Sequence, residues 1–527
     1  MYPRLKLALG AAAVAGWLAT ASVSSAQTLT LALDAQPTSV DPHYHTFGPN
    51  ENVDIHIFDL LTDFDAGMHL KPALAMSWKL IDDTTWEFKL RPGVKFQNGA
   101  DFTAEDVAYT IERVPTVPNS PGSFAVYTKP VTKMEIVDPL TIRMHTAGVF
   151  PLLPVDLSQV FIIPHGLGPM PATEDFNSGK DAIGTGPYRL VAYKSGDRVE
   201  LERNDAWWGP KPYWQHVTMR MIPNDAARSA ALLAGDVQFI EFVPPSDATR
   251  MRADKRVALA ETDSLRFVYL WLDRSRQGDE PFVSGPDGEK LGKNPFNDLR
   301  VRQALSISIN RPLIVERIME NEATPTGQFL APGYYSHVPG LDAPKYDPER
   351  AKALLAEAGY PNGFRLTLHG PNDRYVNDAK IIQAIGQMWT RVGVQTTVDP
   401  MTWTTFIGRA SKQEFSAYLL AWGIATGEAS DPLRALIETY SVEKGVGSVN
   451  RGRYSNPAVD ALIDKAVSTA DDAAREKLLI DASRMALEDV AIIPLHIQKN
   501  IWGMQAGLTY AARADEGTRA MDVRPAN

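Results

Sequence analysis

The sequence predicts a mixed α/β protein made of two lobes, with the second lobe inserted into the first. Two observations support this class. Segments with apolar residues at every second position occur along the chain together with segments of helical period. Two apolar, strand-like runs, 265–272 and 492–501, flank the helix-rich second half. Two crossings of this kind are what a chain needs to enter and leave an inserted lobe.

Composition excludes several classes of protein. The chain has 527 residues, of which 44% are hydrophobic and 22% charged, so it is neither disordered nor fibrous as a whole. Its net charge of −10 makes a nucleic acid or an anionic membrane an unexpected partner. It has no cysteine, which excludes disulfides, thiolate nucleophiles and Cys-ligated metals.

The first 26 residues have the three parts of a secretory signal peptide. Arg4 and Lys6 precede an apolar run at 7–19, which is too short for a good membrane span. Small residues follow up to Ala26, after which we expect cleavage. Without a cysteine there, no lipid can be attached. The sequence therefore predicts an exported protein, periplasmic in a bacterium with two membranes, and no membrane insertion.

The first half of the mature chain is predicted to contain strands, two hairpins and two helices. Thr103, with Asp106 three residues later, is a helix start close to the capping-box pattern. A second helix begins at Asp225 and should end at Gly235. The strands are predicted at 29–33, 85–90, 217–221 and 237–243, and the hairpin turns at 138–139 and 195–197.

The second half begins after a polar loop at 276–298 and is richer in helix. One helix starts at Pro348 and ends before Gly359. The longest apolar helical face is at 377–392, closed by Gly393 with a strand after it. Two more helices are predicted, one from Pro457 and one over 471–490.

No motif in the sequence requires catalysis. The nucleophile elbow, the zinc-protease motif, the phosphate loop and the dinucleotide fingerprint are all missing. The segment Gly184-Thr185-Gly186-Pro187 is better explained as a tight turn. His43 and His45, near Asp41 and His56, could bind a metal but suit an ordinary loop as well. We therefore expect neither an enzyme nor a cofactor nor a metal site.

A series of short motifs in fixed order resembles the bacterial extracellular solute-binding proteins of family 5, the receptors of ABC importers for peptides, dipeptides and nickel. The resemblance covers residues 28 to 510. The motifs are LKPALA at 70–75 with Ser77-Trp78, LRPGVKF at 90–96, Gly99, FTAEDV at 102–107, GTGPY at 184–188, Asn204 with WWG at 207–209, LRVRQAL at 299–305 and YSNP at 454–457.

The resemblance implies a two-lobed periplasmic binding protein (Venus-flytrap, type II, cluster C) with an extra subdomain on lobe 1. We expect lobe 1 at 27–270, with the subdomain at about 71–183, lobe 2 at 271–495 and a return to lobe 1 at 496–527. In such a family the ligand lies between the lobes, and closure buries it. The implied partners are a small peptide or peptide-like ligand and an ABC permease with its ATPase subunits. The receptor itself is expected to be a monomer.

The resemblance also implies where a peptide would bind. Arg374, next to Tyr375, stands where dipeptide-binding members place the arginine for the ligand carboxylate. In peptide binders an Asp three residues after the equivalent of Trp422 takes the amine, but here that position is Ala425. If the loop holds a two-residue insertion, Glu428 takes this role. The full set of candidate ligand-binding residues is Arg374, Tyr375, Trp422, Gly423, Thr426, Glu428, Asp431, Asn50, Asn52 and Tyr127.

Other ligands remain open at this point. If no carboxylate replaces the amine-binding Asp, the ligand could be an opine-like conjugate, a saccharide or a nickel or other metal chelate. A periplasmic chaperone-like holder of peptides is a further alternative, and it would bind long unfolded chains rather than one small solute.

Overall fold

Strands and helices alternate over most of the chain. The computed structural model describes residues 27–526; the predicted signal peptide lies outside them. The strands are β1 (Thr28–Leu33), β2 (Thr62–Phe64), β3 (Leu70–Pro72), β4 (Ala75–Asp82), β5 (Thr85–Leu90), β6 (Val131–Asp138), β7 (Thr141–Thr146), β8 (Tyr188–Lys194), β9 (Arg198–Arg203), β10 (His216–Met221), β11 (Phe239–Ile240), β12 (Val257–Leu272), β13 (Val283–Ser284), β14 (Ala323–Pro325), β15 (Phe364–Pro371), β16 (Val394–Met401), β17 (Ala417–Gly423), β18 (Ile493–Gln505), β19 (Leu508–Thr509) and β20 (Arg524–Pro525).

The helices include several single turns. They are α1 (Gly48–Ile57), α2 (Ala104–Arg113), α3 (Ala125–Thr128), α4 (Leu153–Asp156), α5 (Thr173–Asn177), α6 (Asp225–Ala234), α7 (Pro245–Ala253), α8 (Leu299–Ile307), α9 (Arg311–Arg317), α10 (Pro348–Glu357), α11 (Asp378–Arg391), α12 (Trp403–Ser411), α13 (Ser430–Pro432), α14 (Pro457–Val467) and α15 (Asp472–Glu488).

One sheet of twelve strands runs through the molecule. Its main order is β13-β15-β17-β12-β18-β11-β1-β10-β9-β8, with β14 added to β18 and β16 to β15. The long strands β12 and β18 pair with each other antiparallel along most of their length. One half of β12 belongs with the strands around β1, and the other half pairs with β17. These are the two crossing strands that the sequence predicts.

The pairing of β12 with β18 is interrupted between Asp263 and Phe267. Such an irregularity bends a strand and turns side chains out of the ladder. Two backbone groups of this bulge, both of Leu265, form hydrogen bonds outside the ladder. The Leu265 N–H donates to the Ala514 carbonyl at 3.0 Å, and the Leu265 carbonyl accepts from the Ile424 N–H at 3.0 Å. The bulge thus ties the C-terminal segment to the loop that follows β17.

A separate four-stranded antiparallel sheet, β4-β5-β7-β6, forms a second core with α2. The helix starts as predicted, because Thr103 and Asp106 form a complete capping box. This sheet lies inside the predicted subdomain at 71–183. The lobe bounds at 270 and 495 fall close to or within the crossing strands, and these bounds remain a prediction.

Helix α11 buries the side chains that its apolar period predicts. Ile381, Ile382, Ile385 and Trp389 are completely buried in the core of the second half. The Trp389 indole N–H donates to the Leu305 carbonyl at 3.0 Å, so its one polar group is satisfied. This packing fixes the start of α11, directly after the loop that contains Arg374.

One predicted strand is shorter than expected. The sequence predicts a strand at 237–243, but only Phe239–Ile240 is regular. The reason is Phe242, whose φ of 48° lies in the left-handed region and ends the strand.

The predicted tight turn at Gly184–Pro187 is confirmed, since β8 begins directly after it. A Cβ at Gly184 would lie 1.9 Å from the Ile57 carbonyl oxygen, so this turn packs against the end of α1.

Candidate functional site

A cavity of about 340 Å³ lies where the bulge of β12, the start of α1, the C-terminal segment and the loop after β17 meet. Small-molecule sites range over about 300–1,000 Å³, so this cavity is at the small end. Its lining combines carboxylates and guanidinium groups from distant parts of the chain. The lining residues used below are Asp34, Glu51, Asn52, Asp63, Arg266, Arg374, Gly423, Ala425, Asp515, Glu516 and Arg519.

Two ion pairs neutralise part of this lining. The Arg266 guanidinium, on the bulge, donates from Nε and Nη2 to the two carboxylate oxygens of Glu516 at 2.8 and 2.9 Å. Arg519 makes a similar two-point pair with Asp63, at 2.8 and 2.9 Å. Two parallel charge-assisted hydrogen bonds hold the planes of both groups. These four side chains therefore form rigid walls of the cavity.

Gly423 gives Arg266 its space. A Cβ at this position would lie 3.2 Å from Nη2 of Arg266, closer than ordinary van der Waals contact. Gly423 is paired with Arg266 in the ladder between β12 and β17, so the two residues are fixed opposite each other. The predicted site residue Gly423 lines the cavity, and its small size is what allows the guanidinium to lie flat against the strand.

Glu51 is a carboxylate of the lining without a partner. It lies in the first turn of α1, and its side chain makes no hydrogen bond or ion pair with any residue in 27–526. Burial, together with the charge of Asp515, raises the pKa of Glu51 to about 7. A carboxyl group held in this way gains from any cation that enters the cavity.

The neighbouring Asn52 is already engaged. Its Oδ1 accepts from the Thr518 N–H at 2.9 Å, and its Nδ2 donates to Glu241 at 3.2 Å. Glu241 also accepts from the Thr518 hydroxyl at 2.6 Å and lies beside Asp34. Burial, and then the charge of Asp34, raises the pKa of Glu241 well above its usual value. Asn52 lines the cavity, but its polar atoms hold the C-terminal segment and this carboxyl pair in place.

Arg374 is the cationic counterpart on the other wall. Its guanidinium forms no ion pair or side-chain hydrogen bond within the described part of the chain. It lies 5.5 Å from the ring centroids of both Tyr375 and Trp403. The backbone N–H groups of Arg374 and Tyr375 both donate to Asp378, at 3.1 and 3.0 Å. Two aromatic faces and a fixed backbone therefore position an unpaired guanidinium at the cavity.

The loop after β17 places its predicted residues in different surroundings. The Ala425 N–H, at the cavity, donates to Asp431 at 3.1 Å, and burial raises the pKa of Asp431 to about 7. The Thr426 hydroxyl is buried and has no hydrogen-bond partner among residues 27–526. The Trp422 indole N–H lies near Asp431 without reaching hydrogen-bond geometry. Trp422, Thr426 and Asp431 thus lie beside the cavity with polar atoms that are not fully used.

Glu428 has a different role from the one expected. Its carboxylate is buried and accepts two hydrogen bonds from Nη1 of Arg475, at 2.6 and 2.8 Å, and one from the Ser430 hydroxyl. It does not line the cavity. A carboxylate that is already paired within the protein gains less from a ligand ammonium than an unpaired one. The expectation that Glu428 replaces the amine-binding Asp stays a prediction, and this pairing does not favour it.

Two predicted residues of the first lobe lie outside the cavity lining. Asn50 is completely buried and accepts from the Thr38 N–H at 2.9 Å, so it shapes the segment before α1. Tyr127 packs on Phe124, with ring centroids 6.2 Å apart. Burial, and then the charges of Glu51 and Asp431, raises the pKa of Tyr127.

The histidines near the N-terminus do not form a metal site. His43 donates from Nε2 to the Phe161 carbonyl and accepts at Nδ1 from Arg113, and His56 accepts from the Ala520 N–H. Across residues 27–526 there is no group of three or more His, Asp or Glu side chains arranged to hold a metal ion. Within the same residues, no helix is both long enough and apolar enough to cross a membrane.

Sequence reasoning missed Glu51, Asp34, Arg266 and Glu516. Glu51 lies between the two predicted site residues Asn50 and Asn52. Nothing in the sequence indicates that its carboxylate lines a cavity without a partner. Arg266 lies in the apolar run that predicts a crossing strand, where a single arginine is the exception to the pattern. Such an exception could have marked a residue that faces a cleft.

Comparisons with known proteins agree with this arrangement. The model of the family "Bacterial extracellular solute-binding proteins, family 5 Middle" matches residues 69–441. The glutathione-binding protein GsiB of Escherichia coli strain K12 is 28% identical over 512 residues, covering 94% of each chain. Heme-binding protein A of Haemophilus influenzae is 27% identical over 470 residues, covering 83% of this chain and 81% of its own.

A solved structure with the same fold is the ABC transporter-associated periplasmic binding protein DppA from Helicobacter pylori in complex with the peptide STSA. The TM-score is 0.76 at 22% identity, over 94% of this chain and 98% of that one. The predicted two-lobed α/β fold is therefore confirmed.

Proposed function

This chain belongs to the bacterial extracellular solute-binding proteins of family 5, and we propose that its ligand is a small peptide or peptide-like solute with a free carboxylate. The observation that carries this proposal is the unpaired guanidinium of Arg374 at the wall of a small cavity between the lobes. Arg374 is an exposed residue that also lines the cavity, so its guanidinium, which has no protein partner among the described residues, is available to a ligand anion. A ligand carboxylate can accept two parallel hydrogen bonds from it.

The size of the cavity favours a short ligand. A volume of about 340 Å³ suits a solute of dipeptide or tripeptide size rather than a long unfolded chain. This argues against the chaperone-like alternative. A carboxylate-bearing opine-like conjugate would satisfy Arg374 equally well, so it is an outcome that the test below distinguishes. No cluster suited to a bare metal ion exists within residues 27–526, and a metal could enter only as a chelate.

The mechanism we propose is closure around the ligand. Arg374, Gly423 and Ala425 approach the cavity from the second half of the chain, whereas Asp34 and Glu51 approach from the first. A ligand that contacts both walls binds the closed form more tightly than the open one, and only this difference in affinity shifts the population. The crossing strands β12 and β18 are the connection about which the lobes can rotate.

The closed receptor would deliver the solute to an ABC permease, whose ATPase subunits drive release. We assign no catalytic step to this chain. Glutathione-binding GsiB and peptide-binding DppA support this role as relatives of the same family. We also propose that the protein acts in the periplasm as a monomer after cleavage behind Ala26.

The first experiment is native mass spectrometry of the mature protein, purified without refolding. A single adduct with the mass of a di- or tripeptide supports the proposal. A non-peptide adduct would contradict the peptide as ligand but leave the receptor function intact. For a bare protein, we would use a thermal shift with an equimolar dipeptide library, because ligand at about 100 times its Kd adds roughly 2.7 kcal/mol.

Arg374→Ala then tests the carboxylate contact. Loss of a charge-assisted pair costs about 1.5–3 kcal/mol, so the affinity should fall roughly 10- to 150-fold without unfolding the protein. Arg317→Ala is the matched control, since this side chain is exposed and lies far along the chain from the cavity lining. Unchanged affinity in Arg374→Ala would remove Arg374 from the site.

A further inference from the structure

An ion pair joins the two halves of the chain beside the crossing strand β12, outside the cavity. The Arg252 guanidinium, near the end of α7, donates from Nη1 and Nη2 to the two carboxylate oxygens of Glu322 at 2.6 and 3.0 Å. Its Nη2 also donates to Glu261 of β12. We call Arg252, Glu261 and Glu322 the ionic clamp. These three residues do not line the cavity.

The two partners of this ion pair are attached to different hydrophobic cores. Met251, directly before Arg252, packs in a core with Ala32 of β1. Ala323, directly after Glu322, belongs to the core of the inserted half. The pair of Arg252 and Glu322 therefore connects two parts of the molecule that have separate cores. The distance between its charged groups depends on how these two parts lie relative to each other.

The clamp lies where β12 passes from one part of the molecule to the other. Glu261 and Asp263 are two residues apart on this strand, so their side chains project from the same face. Glu261 contacts Arg252 of the first half. Asp263 accepts from the Thr324 hydroxyl of the inserted half at 2.8 Å, and the bulge begins directly after it. A rotation of the lobes about the bulge therefore moves Arg252 relative to Glu322.

Glu322 is the buried member of the clamp. Only 3% of its side chain is exposed, against 38% for each of Arg252 and Glu261. Among residues 27–526, only Arg252 forms an ion pair or a side-chain hydrogen bond with the Glu322 carboxylate. A buried carboxylate that loses its counter-charge is strongly destabilised. Separating Arg252 from Glu322 therefore costs more free energy than separating an exposed ion pair.

The backbone before Glu322 holds this carboxylate in place. Glu320 and Asn321 have φ of 51° and 66°, in the left-handed region that residues other than glycine rarely adopt. Such residues persist only where the surroundings fix them. Here the Asn321 N–H donates to the Val315 carbonyl at 2.9 Å, and the Glu322 N–H donates to the Met319 carbonyl at 2.7 Å. Glu322 is thus fixed to α9 and moves with the inserted half.

We propose that the ionic clamp is a hinge device that favours the closed arrangement of the lobes before a ligand arrives. Both halves line one cavity in the structure, and the clamp is intact in the same arrangement. Opening about the bulge of β12 parts Arg252 from Glu322 and leaves the buried carboxylate without its counter-charge. The ligand then needs a smaller difference in affinity to shift the population. This inference rests on the closure mechanism proposed above, but not on the identity of the ligand.

The test measures the arrangement of the lobes without ligand. Because the chain has no cysteine, Val191→Cys and Val442→Cys can carry two spin labels, one in each half, at residues that are 58% and 79% exposed. Double electron–electron resonance then gives the distances between the labels. We expect one dominant distance in the labelled parent protein. After Glu322→Gln, the share of a second distance should rise about threefold or more. Arg250→Gln is the matched control, since Arg250 is paired with Asp247 within α7.

Small-angle X-ray scattering of unlabelled protein gives a second readout. Glu322→Gln keeps the shape of the buried side chain without its charge, whereas Arg252→Gln leaves the charge of Glu322 unpaired. We expect both variants to have a larger radius of gyration than the wild type and Arg250→Gln. An ion pair with only a structural role would lower Tm when removed but leave the radius and the label distances unchanged, and that result overturns the clamp.

The two proposals can fail separately. If the label distances change in the clamp variants but no dipeptide library binds, the peptide ligand of the proposed function is overturned and the clamp is supported. If dipeptides bind while the distances and the radius of gyration are the same in Glu322→Gln as in the wild type, the clamp is overturned and the receptor function is intact.

Discussion

Nη1 of Arg475 lies 2.6 Å from Oε2 and 2.8 Å from Oε1 of Glu428, and both side chains are buried. Arg475 belongs to α15, 47 residues further along the chain. The Ser430 hydroxyl completes the carboxylate's partners. This ion pair fixes the loop after β17 to the helical layer beneath it, and so holds the part of the loop that lines the cavity.

Breaking this pair should cost stability but not ligand selectivity. Arg475→Met leaves Glu428 buried without a counter-charge, and we expect a loss of about 3–5 kcal/mol in the free energy of unfolding. The double variant Glu428→Gln/Arg475→Met should recover part of that loss. Urea denaturation gives the free energies, and binding to two dipeptide libraries, one with free and one with acetylated N-termini, gives the selectivity. A folded Glu428→Gln that no longer distinguishes the two libraries would return Glu428 to the ligand site.

Gly423→Ala should weaken the cavity wall. The added Cβ would lie 3.2 Å from Nη2 of Arg266, so the guanidinium must move away from its two-point contact with Glu516. We expect a loss of about 1–2 kcal/mol in stability. Gly408→Ala is the control, because this exposed glycine lies within α12 with no neighbour near a Cβ. There, the same change should stabilise the protein by up to about 1 kcal/mol. Thermal unfolding of both variants measures the contrast.

The Arg266–Glu516 pair should show energetic coupling in a double-mutant cycle. The pair is partly buried, with 21% and 22% of the two side chains exposed, and it has two-point geometry. We expect a coupling energy of about 1–3 kcal/mol for Arg266→Met and Glu516→Gln. Additive effects, with a coupling energy near zero, would show that these residues contribute independently. Urea unfolding of the two single variants and the double variant provides the measurement.

The effect of pH on stability should separate Glu51 and Asp431 from other titrating groups. Glu51 and Asp431 have a pKa of about 7 in the folded protein, above their ordinary values of 4.5 and 3.8. The folded state therefore holds extra protons between about pH 4 and pH 7, and the associated stability is lost as the pH rises through 7. Glu51→Gln/Asp431→Asn removes this loss. Its advantage over the wild type should be small at pH 4 and about 1–3 kcal/mol at pH 8.

This comparison cancels the contribution of the buried histidines, which wild type and variant share. Burial lowers the pKa of His43 and His496 to about 4, so their contribution runs in the opposite direction. A variant whose advantage is the same at both pH values would contradict the raised pKa of Glu51 and Asp431. Calorimetric unfolding at the two pH values measures the difference.

Most of the architecture could be predicted from the sequence because its signals are local. The capping box at Thr103 and Asp106, the apolar face of α11 and the two apolar runs that became β12 and β18 depend on residues within one element. The ordered motifs then indicated the family. The predicted length of the strand at 237–243 was wrong. A phenylalanine gives no indication in the sequence that its φ will be left-handed, as that of Phe242 is.

The site was predicted only in part, for a physical reason. Arg374 lies shortly after β15 and Gly423 is the last residue of β17, and both line the cavity. The partner of Glu428 could not be predicted, because Arg475 reaches it only through tertiary packing. Likewise, Glu51 and Arg374 are far apart in the sequence, and nothing local indicates that both line one cavity.

The return of the C-terminus to β1's side of the sheet has a consequence for the order of folding. Strand β18 pairs with β11, the Trp214 indole N–H donates to the Val523 carbonyl, and Arg513 donates to the Phe64 carbonyl. The first half of the chain therefore cannot complete its core until the last thirty or so residues have left the ribosome or the export channel. The inserted half has its own hydrophobic core and can form earlier. A growing chain thus remains partly open until the end of synthesis, which suits a protein that crosses a membrane before it folds.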